Sequence, residues 1–280
     1  MKTLKGKIAL VTGASRGIGK GIALGLAEAG ATVYVTGRTK AGMPGVQGLG
    51  GSIEETANEI KKVNGIGFAI NCDHTDDDSA KAVFDHILEK EKWIDILVNN
   101  VWGGYECMFN DRGEYIWEKP FWEQPIEQWE LMFSAGVRAH YVASRYAANV
   151  MINQKSGLVV NLSHWAARVY SGNVCYGMSK AATDKLTSDT AHDLQPFKVA
   201  VISLYPGLVR TERVMRASEF LDLSNSESPQ YLGRVIAAVY TDRALMDKSG
   251  NSYVAAQLGL EYGISDIDGK TPVPLSVENV

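Results

Sequence analysis

Tyr176 and Lys180 stand four residues apart in Cys175–Leu194, a stretch whose apolar spacing predicts a helix, so both side chains share one face. A free phenol ionises near pH 10, too high for proton exchange at neutrality. An ammonium ~5 Å away, at an effective dielectric of ~20, favours phenolate by roughly 3 kcal/mol. That equals about two pKa units, enough to make Tyr176 an acid and base. A Y-x-x-x-K pair also arises by chance, so its meaning depends on what stands around it.

A second chemical signal lies near the start of the chain, in Thr12-Gly13-Ala14-Ser15-Arg16-Gly17-Ile18-Gly19. Its glycines let the backbone turn sharply and approach a pyrophosphate. The helix that follows presents free N–H groups and its positive dipole end. The turn falls between the strand pattern Lys7–Thr12 and the helix pattern Gly17–Ala29, the context such a site requires. At the end of the second strand, an acidic residue would accept from a ribose 2′-hydroxyl and repel a 2′-phosphate. Gly37 and Arg38 stand there instead, with Arg16 in the glycine turn. Two guanidiniums suit a phosphate dianion, so the sequence predicts NADP(H) rather than NAD(H). Solvated surface arginines are the plainer alternative.

These groups need a scaffold. Strand patterns cover Lys7–Thr12, Ala31–Thr36, Ile66–Asn71, Ile94–Asn99, Gly157–Ser163, Lys198–Leu204 and Asn251–Ala256. Helical spacing covers Gly17–Ala29, Ile53–Val63, Ser79–Lys92, Ile126–Ile152 and Cys175–Leu194. Alternating β and α units with almost wholly apolar strands predict an α/β protein: a Rossmann-type doubly wound parallel sheet of about seven strands, with helices on both faces. Residues 1–280 read as a single domain, with an aromatic-rich insertion at 102–129 and a C-terminal extension at 257–280. The insertion carries four of the six tryptophans, and either walls a substrate cleft or caps the core.

A net charge of −4 gives no basic excess to attract nucleic acid. No apolar run approaches the length of a membrane span. Cys72, Cys107 and Cys175 cannot all pair and lack metal-ligand spacing, and no signal core precedes the first strand; a cytoplasmic protein is expected.

The glycine turn, Asn99–Asn100, the Tyr176–Lys180 pair and Pro206-Gly207-Leu208-Val209-Arg210-Thr211 follow one another in an order that resembles the classical short-chain dehydrogenase/reductase family over nearly the whole chain. A narrower likeness, to its dehydrogenase/reductase member 1 branch, rests on Ala135–Tyr141, Ser179–Leu186 and Glu261–Lys270. The resemblance implies roles: Asp73 on the adenine amino group, Asn99 and Asn100 supporting the cofactor cleft, and Val209 and Thr211 on the nicotinamide carboxamide. It also places Lys180 on the nicotinamide ribose and Tyr176 on the reacting oxygen. The cofactor set is then Gly13, Ser15, Arg16, Gly17, Ile18, Gly19, Arg38, Asp73, Asn99, Asn100, Tyr176, Lys180, Pro206, Gly207, Val209 and Thr211.

Three positions depart from the family pattern. The carbonyl-orienting serine is Ser163 by spacing, thirteen residues before Tyr176, whereas alignment of the strand puts His164 in that place. Adjacent strand residues face opposite ways, so both cannot serve identically; Ser163 joins Tyr176 and Lys180 as the expected catalytic set. Gly136 occupies the place of a relay asparagine, and Val101-Trp102 replaces the usual alanine and glycine. The expected function is NADP(H)-dependent hydride transfer between nicotinamide and a hydrophobic ketone, aldehyde or quinone, or the corresponding alcohol. A dinucleotide-binding regulator without catalysis, or a non-redox relative such as an epimerase or dehydratase, are the alternatives. By analogy with the family, the two long helices pair across a two-fold axis in a homodimer or homotetramer.

Overall fold

The strand patterns assemble into one parallel seven-stranded sheet in the order β3-β2-β1-β4-β5-β6-β7 in a computed structural model that describes residues 3–278. The strands are β1 (Ile8–Val11), β2 (Thr32–Gly37), β3 (Ile66–Asn71), β4 (Ile96–Asn99), β5 (Gly157–Leu162), β6 (Val199–Tyr205) and β7 (Ser252–Val254). The helices are α1 (Gly17–Glu28), α2 (Ile53–Lys62), α3 (Asp77–Glu91), α4 (Glu127–Met132), α5 (Ala139–Gln154), α6 (Val174–Leu194), α7 (Glu212–Arg216), α8 (Pro229–Thr241), α9 (Leu245–Lys248) and α10 (Ala255–Tyr262). Strands β1, β4, β5 and β6 are buried along their whole length, because helices cover both faces of the sheet. The strand order reverses between β1 and β4, which opens a crevice at the carboxyl ends of the strands.

Local signals explain most boundaries. Ser52 and Glu55 form a reciprocal cap on α2, Asp76 caps α3, and Gly30 ends the turn after α1 at φ +99°. Three features differ from the periodicity. The expected helix 126–152 is interrupted by a π-helical turn at Phe133–Arg138 that carries Gly136. The seventh strand stops at Val254, and Ala255 begins α10. Helix α8 falls outside the expected set, although Ser228 caps it and Pro229 opens it, a legible start signal. It packs on α1 at backbone distance, glycine against glycine: a Cβ on Gly25 would lie 2.8 Å from the Gly233 Cα.

The C-terminal extension returns to the sheet. Buried Asp266 accepts from the Ser228 backbone N–H at 2.7 Å and from Arg210 at 3.0 Å, which pins residues 263–278 against the loop that follows β6.

Candidate active site

The carboxyl ends of β1, β4, β5 and β6 meet around a cavity of about 700 Å³, the size of a cofactor or substrate site. Gly13, Ser15, Arg16, Gly17, Ile18, Arg38, Asp73, Asn100, Ser163, Tyr176, Lys180, Pro206, Gly207, Val209 and Thr211 line it. Gly19 and Asn99 do not. A Cβ on Gly19 would run into the Asn100 amide, so that glycine permits helix–strand packing. Buried Asn99 donates to Asn161 at 2.8 Å and to Ser144 at 2.9 Å, tying β4 to β5 and α5 behind the cavity wall. Asn100 donates to the carbonyls of Thr12 and Gly13, both at 2.9 Å, and so fixes the glycine turn.

At the mouth of that turn the N-terminus of α1 already holds an anion. The Gly17 N–H donates to the Glu212 carboxylate at 2.8 Å, across from α7. The helix end therefore suits a phosphate oxygen. Arg16 donates to the carbonyls of Gly50 and Gly51 and to the Thr39 hydroxyl, holding the glycine-rich loop after β2 closed. Arg38 pairs with Glu106, which comes from the 3₁₀ turn Gly104–Cys107 of the insertion. Arg16 is thus half-buried and tied to its loop, whereas Arg38 is exposed and held by an ion pair. Asp73 also lines the cavity, where its carboxylate accepts from the Thr75 backbone N–H and hydroxyl.

Asn173 caps α6 by accepting from the Tyr176 N–H at 2.9 Å, and its amide donates to the Trp117 carbonyl and to Gln128. The insertion thus anchors the helix that carries Tyr176 and Lys180. Its rings also wall the phenol: Trp117 lies 5.3 Å and Trp102 5.7 Å from the Tyr176 ring, centroid to centroid. Phe121 and Trp122 instead point to solvent. The Trp102 face receives the Lys180 ammonium at 4.1 Å, and Lys180 also donates to the Leu162 carbonyl at 3.2 Å. A Cβ on Gly136 would stand 2.7 Å from the Trp102 ring. The two departures from the family pattern are therefore one change, a large ring taking the space of a side chain.

Burial shifts Tyr176 in the direction opposite to that expected from Lys180 alone. Burial, with the Tyr105 hydroxyl next in effect, pushes the phenol well above its ordinary value of 10. Desolvating a phenolate costs more than Lys180 returns. The ammonium lies 5.7 Å from the Tyr176 ring centroid and is engaged with Trp102, and burial pulls Lys180 itself down to about 8. Ser163, the serine expected from spacing, is buried, and its hydroxyl donates to the Lys180 carbonyl at 3.3 Å. The His164 imidazole faces the cavity, 5.4 Å from the Tyr176 ring.

Glu227 escaped sequence reasoning because it lies twenty-two residues past β6 with no motif around it. Its segment runs beside Val209, and its carboxylate accepts from the Gly207 N–H at 3.1 Å. Burial raises it to about 7. The folded carboxyl thus holds a proton that the unfolded chain releases near 4.5, so stability falls as pH rises from about 4.5 to about 7. Glu227→Gln is expected to remove up to about 3 kcal/mol of that fall. Parallel melting curves for both proteins across this window would check it, and identical slopes would contradict it.

A parallel sheet with a glycine turn at its switch point and a Tyr–Lys pair in the same cavity defines a dinucleotide-binding oxidoreductase fold. The family model of short chain dehydrogenases matches residues 7–222. The chain is 36% identical to dehydrogenase/reductase SDR family member 1 of Mus musculus over 284 residues, covering 95% of this chain and 85% of that protein, and 34% identical to the Homo sapiens counterpart over the same shares. A crystal structure of a short-chain type dehydrogenase/reductase from Mycobacterium marinum superposes with a TM-score of 0.73 at 28% identity, over 90% of this chain and 94% of that one. The chain belongs to the classical short-chain dehydrogenase/reductase family, in its member 1 branch. Members of the family bind nicotinamide cofactors: similar structures include a 7α-hydroxysteroid dehydrogenase with NADH (TM-score 0.72, 26% identity, 90% of this chain and 93% of that one) and a metagenomic oxidoreductase with NADP (0.68, 25%, 90% and 97%). Among the described residues no helix is long and apolar enough to cross a membrane.

Proposed function

We propose that this protein is an NADP(H)-dependent oxidoreductase acting on a hydrophobic carbonyl or alcohol, with Tyr176 as general acid and base assisted by Lys180. The observation that carries the reading is the convergence of Tyr176, Lys180 and the glycine turn on one cavity. The anion already held at Gly17, together with Arg16 and Arg38 on the lining, suits a dinucleotide that bears an extra phosphate. Bound there, the cofactor supplies or accepts the hydride. In reduction, Tyr176 gives its hydroxyl proton to the substrate oxygen. Lys180 then stabilises the phenolate left behind, and hydrogen bonding to the substrate oxygen comes from the end of β5, where Ser163 and His164 stand. Trp102, Tyr105 and Met108 line the cavity and give it an apolar wall suited to ketones, aldehydes or quinones. Turnover of NADPH against such carbonyls tests the activity; cofactor binding without turnover on all of them would favour a regulator instead.

Arg38 sets the cofactor preference in this reading, since a 2′-phosphate would replace Glu106 as its partner. NADPH is expected to bind at least about tenfold tighter than NADH, and Arg38→Ala to erase most of that ratio. Fluorescence titration of both cofactors measures it; equal affinities for the unmodified protein would refute the assignment. The three unpaired cysteines support a cytoplasmic location. Exposed Tyr141 on α5 and Met178 on α6 support pairing of these helices in a homodimer or homotetramer.

A further inference from the structure

We propose that His164, through its Nε2–H, is the donor that holds the substrate oxygen beside the Tyr176 hydroxyl, the part expected of Ser163. This rests on the oxidoreductase reading above and deepens it. His164 lies two residues past the end of β5 and caps the 3₁₀ turn Trp165–Ala167, so its orientation is set by backbone rather than by a flexible loop. Its Nδ1 accepts from the Ala166 N–H at 3.1 Å. A neutral imidazole that accepts at Nδ1 carries its hydrogen on Nε2. That second nitrogen meets no partner among the described residues, and the ring lines the cavity next to the phenol.

Ser163 offers no such donor. Its hydroxyl has a single hydrogen, already given to the Lys180 carbonyl, and the side chain is 3% exposed. Both residues line the cavity, but the Ser163 hydroxyl is turned to α6 by its bond to the Lys180 carbonyl, whereas the His164 ring lies beside the Tyr176 ring. Ser163 acts as a positioning residue, bonding the turn of helix from which Lys180 projects. Burial, and next the Lys180 ammonium, lower His164 to about 4, so that it stays a neutral donor across the working range. In the reaction His164 neither gains nor loses a proton. The hydride adds to the carbonyl carbon, the Tyr176 proton goes to the oxygen, and the Nε2–H bond strengthens as charge builds on that oxygen.

The test uses the full chain with NADPH and 9,10-phenanthrenequinone, a flat hydrophobic dicarbonyl. His164→Gln keeps an N–H donor, whereas His164→Met fills similar space without one. His164→Met is expected to lower kcat by about 10²-fold with the NADPH Kd within about threefold, and His164→Gln to recover most of that loss. Ser163→Ala should lose at least tenfold less than His164→Met. Wild-type kcat in His164→Met, or a Ser163→Ala loss as deep as that of His164→Met, would overturn the assignment while leaving the enzyme reading intact. A wild-type protein that binds NADPH yet reduces neither this quinone nor any other carbonyl would overturn the enzyme reading itself, and the role of His164 with it.

Discussion

Tyr176→Phe is expected to lower turnover by at least about 10³-fold while the NADPH Kd stays within about threefold. The substitution removes one oxygen and keeps the ring that packs between Trp102, Trp117 and His164, so the local structure has no reason to rearrange. A positioned general acid contributes about 10²–10⁴-fold, and no nearby group can replace it. Lys180 is held against Trp102 and the Leu162 carbonyl, and His164, lowered to about 4, is a neutral imidazole whose N–H is too weak an acid to yield its proton. Tyr105, the other phenol at this point of the cavity, sits on the insertion and is itself raised by burial. Single-turnover measurement with saturating NADPH separates chemistry from binding. Full activity in the phenylalanine variant would remove Tyr176 from the mechanism, and with it the reason for reading the Lys180 pair as chemical.

The largest loss of stability is expected from Gly25→Val. On an open helix surface, replacing glycine by a residue with a side chain gains up to ~1 kcal/mol of propensity. Here the sign reverses. A Cβ at residue 25 would stand 2.6 Å from the Gln230 carbonyl oxygen, 2.8 Å from the Gly233 Cα and 2.9 Å from the Arg234 nitrogen. All three are backbone atoms of α8, so no side chain can turn aside and the helices must separate. Overpacking of this kind costs about 3 kcal/mol or more, which for a chain of this size lowers Tm by roughly 6–12 °C. The NADPH affinity should fall as well, since α1 carries the anion site at its first residue. Gly50→Ala, where an added Cβ meets nothing within 4 Å, is the control and should change stability by less than ~0.5 kcal/mol. A Gly25→Val protein as stable as the control variant would show that α1 and α8 can separate at little cost.

Sequence alone was sufficient for the parts governed by short-range rules. Strand patterns located all seven strands of the sheet, most plainly β1, β4, β5 and β6, because strands buried on both faces must be apolar throughout. The glycine turn and the four-residue spacing of Tyr176 and Lys180 were legible for the same reason: each works through neighbours along the chain. The cap of α8 at Ser228 was equally local, and its pattern was readable even though the helix fell outside the expected set.

What the tertiary structure decided involves partners distant in sequence. Trp102 and Gly136 read separately as two departures, yet they fill one volume, and the π-helical turn around Gly136 follows from packing that no periodicity reveals. Tyr176 is buried by side chains from the insertion and the turn after β5, and this burial pushes its pKa up, a contribution that a pairwise estimate from its lysine leaves out. Counting back from Tyr176 pointed to Ser163 and alignment of the strand to His164, because the direction of a side chain is a property of the folded sheet. The hydrogen bonds of folded neighbours, Lys180 for the Ser163 hydroxyl and Ala166 for the His164 ring, are what the proposal for His164 is built on.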